Sequence, residues 1–432
     1  MSPAPLSPSQ EAPSRRVVVT GSSAITPLGD SPESLHRGLC DGATGLKNLE
    51  LFPAEGLSCQ LVGEIHEFSA RHYLTSGNLR PLDRTAQLAT VAALRALEEA
   101  GFTAELRQQQ DVGLVLGTLF GSVHTISAFD RRALEAGPKY AKPLDFANSV
   151  INAAAGQTAI WHDLRGVNST ICSGSPSGLQ AIAYAADLIQ TGRADTLLAG
   201  GADELCFESY LGFHRTGRVA GSGSTAASDE TPHPVPFAAN RNGFALGEGG
   251  ALFLLETREQ ALARGATILG EIRGHGNAFD PSRGKDSVLA AGALRRAIEI
   301  ALEEAAIEGG QLGAISTSAN GSIVGDRHEA QGIAAALGPY LQDLPVTAIK
   351  GALGESLGTS SAIQAIALLE ALTQRHLPGI AGLDEPDPTL PLPRLSREAQ
   401  PLHQPLGLVT ALDAGGHACA VILESGVLES GV

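Results

Sequence analysis

The sequence predicts an α/β protein made of two similar halves, each a predominantly parallel sheet with helices on both faces. Apolar segments of strand length alternate with longer segments whose apolar residues recur at helical spacing, as expected for such a sheet. The alternation starts again after about residue 265, and 432 residues exceed a usual single domain. We therefore expect a duplicated fold with halves at 16–265 and 266–432.

The first fifteen residues differ from the rest of the chain in composition. They are rich in Pro and Ser, and no apolar segment follows a basic start. This composition predicts a disordered tail over residues 1–15 rather than a signal peptide.

Composition and charge exclude several classes of function. The net charge of −16 argues against nucleic-acid binding, because phosphate recognition needs a basic surface. No apolar run reaches the 18 residues typical of a membrane span. The five cysteines are scattered, without a CxxC pair or a His/Cys cluster. We therefore expect no metal, no other cofactor and a reducing, cytoplasmic location.

In the first half, strands and helices alternate from the start. A Val-rich strand lies within 16–29, and a long helix over 83–102 ends at Gly101. A buried strand over 111–118 precedes a predicted helix of small residues over 143–166.

The stretch NSTICSGSPSGLQA (168–181) predicts a strand, a tight turn of small residues and the start of an apolar helix. This helix continues to Gly192 and is apolar nearly all round, which predicts a place in the middle of the protein. A strand over 194–204 follows, and the Gly/Ser-rich segment 215–235 predicts a surface loop.

The second half repeats this order of elements. The predicted elements are a strand over 267–278, a helix over 288–307, a strand and Gly loop over 313–322, a strand, loop and helix over 346–372, and a hairpin over 405–425.

A strand, tight turn and buried helix form an arrangement in which enzymes present a nucleophile, and here it offers two candidates. Cys172 and Ser175 both lie between the strand and the helix of the stretch 168–181. The residues alone do not decide between the thiol and the hydroxyl.

Six motifs follow one another along the chain, namely RVVVTGSSAITPLG (16–29), ADTLLAGGADE (194–204), PFAANRNGFALGEGGALFLLE (236–256), GDRHEAQGI (325–333), IKGALGESLG (349–358) and DAGGHACAVIL (413–423). These motifs resemble those of the β-ketoacyl-ACP synthases, the condensing enzymes of the thiolase fold. Their order and spacing cover about residues 15 to 425. The resemblance implies an α-β-α-β-α layered fold with two mixed, mainly parallel sheets.

Enzymes of this family use a Cys at the N-terminus of the buried helix as the nucleophile, followed by any residue and then Ser-Gly. In this chain the segment SPSG places Ser175 in that slot, with Ser177 and Gly178 matching. Cys172 lies three residues upstream, and we expect it to be a packed, structural cysteine of the strand. A register shift of three residues would instead make Cys172 the nucleophile of an ordinary ketosynthase.

The resemblance also implies two histidines that stabilise negative charge during decarboxylation of malonyl-ACP. Their positions correspond to Ser318 and Glu355, whereas Lys350 is retained, as is Glu248. Glu355 would place an anion where negative charge must accumulate. Of the nearby histidines, we expect His328 on an exposed helix face and keep His417 as a candidate that could point inward.

Two further regions are expected to contact the acyl chain. The family has a Phe-Gly-Phe-Gly-Gly gate, and here Leu412 and Ala414 occupy the positions of the two Phe residues. The segment 145–156 resembles the interface region of the family, and we expect its Phe146 to project towards the partner's acyl pocket.

Together these replacements predict a catalytically silent homologue of the chain-length-factor type in type II polyketide or fatty-acid-like biosynthesis. Its expected partners are an active ketosynthase in a heterodimer, an acyl carrier protein and the acyl or polyketide chain. One alternative is an acyltransferase or priming enzyme that uses Ser175 as nucleophile with Glu355 or His417 as base. Another is a binding or scaffolding member of the fold.

Carrier docking would depend on local basic residues, because both the chain and acyl carrier proteins are acidic. The candidates are Arg80, Arg84, Arg131, Arg132, Lys139 and Lys142. These side chains could equally serve only to solvate helices and loops.

Overall fold

The computed structural model describes residues 15–222 and 231–426 of the chain. Within these ranges the strands are β1 (Val17–Ile25), β2 (Lys47–Asn48), β3 (Leu61–Val62), β4 (Val112–Gly117), β5 (Asn168–Ile171), β6 (Thr196–Asp203), β7 (Gly249–Thr257), β8 (Gly270–Phe279), β9 (Ala314–Ser316), β10 (Val346–Thr347), β11 (His376–Leu377), β12 (Gln400–Pro401), β13 (Leu406–Leu412) and β14 (His417–Ser425).

The α-helices alternate with these strands. They are α1 (Pro32–Cys40), α2 (Arg84–Glu99), α3 (Ala104–Gln109), α4 (Val123–Ala136), α5 (Pro143–Phe146), α6 (Ala153–His162), α7 (Ser177–Gln190), α8 (Phe207–Arg215), α9 (Arg258–Ala263), α10 (Ser287–Ala305), α11 (Ile323–Leu337), α12 (Lys350–Leu353) and α13 (Ser360–Gln374). No helix in the described ranges is both long and apolar enough to cross a bilayer.

The main sheet repeats one strand order on either side of its centre. Its ten strands run β10-β9-β13-β14-β8-β1-β7-β6-β4-β5. Each half of the chain contributes five of these strands. From the centre of the sheet outward, the first half is ordered β1, β7, β6, β4, β5 and the second half β8, β14, β13, β9, β10, so in both halves the first strand is followed by the fifth, the fourth, the second and the third. This repetition matches the predicted duplicated α/β fold, and we propose residues 265/266, between β7 and β8, as the boundary of the halves.

The sheet differs from the prediction in two details. Two mixed sheets were expected, but β1 pairs with β8 through Val17–Val19 and joins both five-stranded arrays into one sheet. The expected predominance of parallel pairing is also wrong, since four pairings are parallel and five are antiparallel. Strands β13 and β14 show one reason, because they follow each other through a tight turn and a parallel pair needs a longer crossover.

Two helices form the central layer of the molecule. As predicted for a helix that is apolar nearly all round, α7 is buried, and it packs against α13 between the two arrays of strands. Gly178 permits this close approach, because a Cβ there would lie 2.8 Å from the Gly358 carbonyl oxygen. Helices α2 and α6 cover the outer face of one array, and α10 and α11 cover that of the other. This is the predicted α-β-α-β-α layering.

The helix predicted over 143–166 is broken into α5 and α6. Between them the Asn148 side chain donates a hydrogen bond to the Pro81 carbonyl oxygen at 2.8 Å, and the Ser149 hydroxyl donates to that of Phe146 at 2.7 Å. Asn and Ser side chains compete with helical backbone hydrogen bonds in this way. The break leaves Val150 and Ile151 on the surface.

Two other predicted segments are only partly described. Of the predicted tail 1–15, all but Arg15 lies outside the described residues, and the Arg15 guanidinium pairs with Asp195. Of the predicted surface loop 215–235, residues 223–230 lie outside them. The loop prediction is wrong at Val219 and Ala220, which are buried because this part of the chain bridges to Phe244.

Candidate functional site

One cavity of about 440 Å³ brings together most of the residues that the sequence singled out. Ser175, Ser318, Glu355, Leu412 and Ala414 all line it. Ser175 follows β5 and Ser318 follows β9, so both lie beyond the carboxyl ends of parallel strands, where α/β sheets usually bind ligands. The motifs therefore converge on one site.

The turn before α7 holds Ser175 at the N-terminus of this helix. The Ser177 hydroxyl accepts from the Ser173 N–H at 2.9 Å and donates to the Gly174 carbonyl oxygen at 2.6 Å, and the Ser361 hydroxyl donates to the Ser175 carbonyl oxygen. Within residues 15–222 and 231–426, neither the Ser175 hydroxyl nor the N–H groups of Ser175 and Ala414 have a hydrogen-bond partner. The hydroxyl thus lacks the adjacent base that activates a serine nucleophile.

Cys172 does not have the packed environment that was predicted. It lies just beyond the end of β5 and is exposed, and its thiol donates to the Leu119 carbonyl oxygen at 3.2 Å. The prediction failed because β5 is an edge strand of the sheet. Partial burial, and then the charge of Asp203, raise the pKa of the Cys172 thiol. Both effects disfavour a reactive thiolate.

Ser318, which the sequence predicts at the position of the first family histidine, is held between two partners. Its hydroxyl donates to the Glu329 carboxyl at 2.8 Å and accepts from the Leu412 N–H at 3.0 Å. Glu329 also accepts from the Thr410 hydroxyl at 2.7 Å. Burial raises the pKa of the Glu329 carboxyl to about 7. Ser318 therefore supplies neither a base nor a free donor to the cavity.

Glu355, which the sequence predicts at the position of the second family histidine, forms a buried ion pair with Lys350. Its carboxylate accepts from the Lys350 ammonium at 2.8 Å, the Asn320 amide at 2.8 Å and the Ser360 hydroxyl at 2.6 Å. Glu355 is only 2% exposed. These three donors occupy the carboxylate, so Glu355 is poorly placed to accept a proton from Ser175.

A further carboxylate, Asp413, lies against the turn that carries Ser175. Gly174 has a φ of +86°, and a Cβ on it would come within 2.4 Å of the Asp413 carboxyl carbon. Asp413 also lines the cavity. It occupies the position of a glycine in the family's gate, so the gate of this chain carries a negative charge beside the nucleophile slot.

Neither candidate histidine has the environment that was predicted for it. His328 is not exposed but buried, and it lines the cavity, because its face of α11 is covered. Burial lowers the pKa of His328, the Asp280 carboxylate raises it and Arg327 lowers it. His417 is not among the lining residues, and its ring packs at 5.0 Å from that of Phe279. The structure therefore gives no support to His417 as a base for Ser175.

Two other predicted residues lie away from the cavity. Phe146 is on α5 at the surface, 65% exposed, with its ring 6.1 Å from that of Phe129. Arg84, a candidate for carrier docking, instead pairs with the buried carboxylate of Glu248 at 2.5 and 2.7 Å. This ion pair makes Arg84 unsuitable as a docking residue, and it gives the retained Glu248 a structural partner.

Sequence reasoning missed several polar groups of the site. Asp413 could have been found, since it interrupts the glycines of the gate motif. Glu329, Asn320 and Ser360 gave little signal, because their partners come from other segments of the chain. The cavity mouth also carries the exposed side chains of Arg218 and Arg283, which the motif comparison did not single out.

Comparison with known proteins agrees with this architecture. The N-terminal domain of β-ketoacyl synthases matches residues 14–261, and the C-terminal domain matches residues 269–384. The 3-oxoacyl-[acyl-carrier-protein] synthase 2 of Vibrio harveyi is 30% identical over 407 residues, which cover 93% of this chain and 96% of the relative. The putative polyketide beta-ketoacyl synthase 1 of Streptomyces halstedii is 30% identical over 429 residues, covering 95% and 98%.

Solved structures show the same similarity. The ishigamide ketosynthase/chain length factor superposes with a TM-score of 0.87 at 28% identity, covering 95% of this chain and 99% of that one. A β-ketoacyl synthase from Burkholderia phymatum STM815 gives a TM-score of 0.85 at 27% identity, with the same coverage. Because both family domains match in order along nearly the whole repeated fold, this chain belongs to the β-ketoacyl synthase family.

Proposed function

We propose that this chain is a catalytically silent β-ketoacyl synthase homologue that acts as the chain-length-factor-type partner of an active ketosynthase. The proposal rests on one observation: none of the residues at the three predicted catalytic positions is bonded in a way that suits condensation. Ser175 has no base within the described residues, Ser318 donates to Glu329, and Glu355 is paired with Lys350. The pathway would be type II polyketide or fatty-acid-like biosynthesis, as the names of the relatives suggest.

The electrostatics of the cavity support this proposal. Condensation builds negative charge on the enolate and the tetrahedral intermediate, and enzymes stabilise such charge with preorganised hydrogen-bond donors. All three of Glu329, Glu355 and Asp413 line this cavity, and the Asp413 carboxyl lies directly against the turn that carries Ser175. Negatively charged carboxylates near the reacting atoms would repel this developing charge and raise the activation barrier of condensation, whereas the imidazoles of the family lower it.

A ketosynthase partner fits the exposed edge of the sheet. Strand β5 is the terminal strand on this side, and its residues are exposed or half-buried. The segment 140–160, which includes most of α6, the helix that packs against β5, carries large apolar side chains on the surface, namely Tyr140, Leu144, Phe146, Val150, Ile151 and Ile160. Apolar side chains next to an unpaired strand edge favour association with a second subunit. We propose that this subunit is an active ketosynthase.

An acyl carrier protein is the proposed source of the acyl chain. Relatives such as the Vibrio harveyi synthase are named for this carrier. Of the basic candidates, Arg80, Arg131 and Arg132 are exposed, whereas the Lys139 ammonium lies 4.9 Å from the centre of the Tyr140 ring and Lys142 lies 3.8 Å from Asp145. These basic side chains would attract the acidic acyl carrier protein to a chain that is itself acidic overall.

One observation favours the second candidate, an acyltransferase or priming enzyme that uses Ser175. The N–H groups of Ser175 and Ala414 are without partners in the described ranges, so they could serve an oxyanion beside the hydroxyl. This activity would need a base other than Glu355, whose carboxylate is already occupied.

The decisive experiment replaces the hydroxyl of Ser175. In a reconstituted pair with an active ketosynthase, Ser175→Ala should leave product formation within a few-fold of the parent. A catalytic nucleophile acts as one unit with its partners, and its removal costs many orders of magnitude in rate. Ser175 has no such unit to lose.

The measurement is product formation together with mass spectrometry of the protein after incubation with labelled acyl-ACP. Cys172→Ala is the matched control, because Cys172 is the other candidate nucleophile of the same stretch. Loss of product with loss of an acyl adduct on Ser175 would establish the acyltransferase instead. Loss of product in the Cys172→Ala variant alone would restore an ordinary ketosynthase.

A further inference from the structure

The turn 412–416, which joins β13 to β14, forms part of the cavity wall next to the Ser175 turn. Three of its residues line the cavity, and the carboxyl of Asp413 lies against Gly174. In the part of the chain that the structure describes, no hydrogen bond joins the turn 412–416 to residues 172–178. Bonds to other segments must therefore fix its position.

The backbone N–H of Leu412, at the start of this turn, lies beyond the end of the neighbouring strand. Strand β9 pairs with β13 only as far as Val409, so no strand reaches Leu412 on that side. The hydroxyl of Ser318, two residues past the end of β9, accepts from the Leu412 N–H at 3.0 Å instead. A backbone donor removed from water needs such a partner, so this bond favours the observed position of the turn.

The carboxyl of Glu329 sets the direction of the Ser318 hydroxyl. A serine hydroxyl has one proton to donate and lone pairs that accept. Ser318 donates its proton to Glu329 at 2.8 Å, so its oxygen accepts from Leu412. Glu329 is buried, and it also accepts from the Ser318 N–H at 2.8 Å and the Thr410 hydroxyl at 2.7 Å. One carboxyl on α11 thus fixes the group that holds the turn.

The other bonds of the turn come from backbone groups or from the turn itself. At its far end, the Asp280 N–H donates to the Gly416 carbonyl oxygen at 2.7 Å. Inside the turn, the Asp413 carboxylate accepts from the Gly415 N–H. Of the described residues outside the turn, Ser318 alone bonds it through a side chain.

We propose that Ser318 and Glu329 are positioning residues that hold the turn 412–416 against the Ser175 turn. The position predicted for a family histidine thus serves to fix the cavity wall and not to stabilise charge. Without the bond to Ser318, the Leu412 end of the turn would be free to move away and expose the Ser175 turn to water. The inference concerns the place of the turn and does not depend on whether Ser175 reacts.

The test is hydrogen exchange of backbone amides, measured residue by residue by mass spectrometry on the full chain, purified with its partner if it needs one. In the parent, the Leu412 amide should exchange much more slowly than that of Ala414, which has no partner among the described residues. Ser318→Ala should make the Leu412 amide exchange about tenfold faster, the effect expected for one hydrogen bond. The amides of Val409 and Val421, paired between β13 and β14, should keep their rates.

Three further variants show whether the hydroxyl and its orientation are responsible. Ser318→Thr keeps the hydroxyl and should restore most of the protection of the Leu412 amide. Ser316→Ala is the matched control, because Ser316 belongs to β9 and its buried hydroxyl has no partner in the described ranges. Glu329→Gln should also speed exchange, but combining it with Ser318→Ala should add nothing, since both act through one bond.

Exposure of the Ser175 turn is measured with a thiol in place of the Ser175 hydroxyl. In a Cys172→Ala background, the Ser175→Cys thiol should be alkylated by iodoacetamide several-fold faster when Ser318→Ala is added. Adding Ser316→Ala instead should leave the alkylation rate unchanged. Mass spectrometry of the peptide that contains residue 175 separates this reaction from alkylation of the other cysteines.

The comparison within the parent chain does not depend on a variant that folds well. A Leu412 amide that exchanges as fast as that of Ala414 would overturn the inference. Equal exchange at Leu412, or equal alkylation, in the Ser318→Ala and Ser316→Ala variants would overturn it as well. An acyl adduct on Ser175 would instead overturn the proposed silence and leave the inferred role of Ser318 in place.

Discussion

At the scale of single residues, the site differs from a condensing site in the sign of its charges. At the positions predicted for the two family histidines, Ser318 is bonded to the Glu329 carboxyl and the Glu355 carboxylate to the Lys350 ammonium. Asp413 adds a third acceptor beside the Ser175 turn. A cavity lined in this way can hold a ligand, but it is poorly suited to stabilise an anionic transition state.

The ion pair of Lys350 and Glu355 gives a prediction about stability. Both residues are buried, so Lys350→Met would leave an uncompensated carboxylate and should lower the free energy of unfolding by about 3–5 kcal/mol. The double variant Lys350→Met/Glu355→Leu should lose much less, because no charge stays buried.

Chemical denaturation of the three proteins measures this difference. The exposed pair of Glu33 and Arg37 is the control, and Arg37→Met should cost below about 1 kcal/mol. A loss for Lys350→Met as small as that of the control, or a double variant as unstable as the single one, would contradict the buried-pair account.

The order of the motifs was sufficient to predict that five of the candidate residues meet at one site. Ser175, Ser318, Glu355, Leu412 and Ala414 line one cavity because the spacing of the motifs fixes their register. The environment of a residue was harder to predict, since it depends on segments distant in the chain. His328 is buried because its face of α11 is covered, and Cys172 is exposed because β5 is an edge strand. The local sequence predicts neither of these environments.

At the scale of elements, the break between α5 and α6 shapes the surface next to β5. The sequence predicted one helix there because the segment is rich in Ala, the residue of highest helical propensity. The side-chain hydrogen bonds of Asn148 and Ser149 interrupt it, and Phe146 is left at the surface on a helix of one turn.

Phe146 is therefore the residue with which to test tunnel shaping. If its ring enters the acyl pocket of the partner, Phe146→Ala should change the length of the product while changing the rate by only a few-fold. Mass spectrometry of the products of the reconstituted pair is the measurement. Ala153 and Ala154 suit this test less well, because both are buried and a larger side chain would disturb packing.

The control for Phe146→Ala is Tyr340→Ala, another exposed aromatic residue, which lies in the second half of the chain. Its products should match those of the parent. An unchanged length distribution in the Phe146→Ala variant would remove the tunnel role from α5.

At the scale of the whole molecule, the α/β class, the duplication and the layering were predictable from the alternation of elements. The joining of the two arrays through β1 and β8 was not predictable, because three paired residues on each strand leave no pattern in the sequence. The balance of parallel and antiparallel pairs was missed for a related reason. The length and apolar character of a strand do not reveal which strand it pairs with, or whether the pair is parallel.

The exposed apolar surface next to β5 predicts an obligate dimer, preferably with an active ketosynthase. Val150→Glu should weaken this association, because a carboxylate would be buried in an apolar interface. Size-exclusion chromatography with light scattering, on the chain alone and after co-expression with a ketosynthase, is the measurement.

Leu262→Glu is the matched control, since Leu262 on α9 is 53% exposed and Val150 is 52% exposed. It should leave the dimer intact. A well-behaved monomer that ignores a co-expressed ketosynthase would contradict the prediction, as would equal behaviour of the two variants.

The position of β1 at the centre of the sheet has a consequence for how the chain folds. This strand leaves the ribosome well before its neighbours β7 and β8, which lie far along the chain. Contacts between segments so distant close large loops, and proteins dominated by such contacts fold slowly. During synthesis the Val-rich strand therefore stays without its native partners until most of the first half has emerged, and chaperones have their longest opportunity to bind it in that interval.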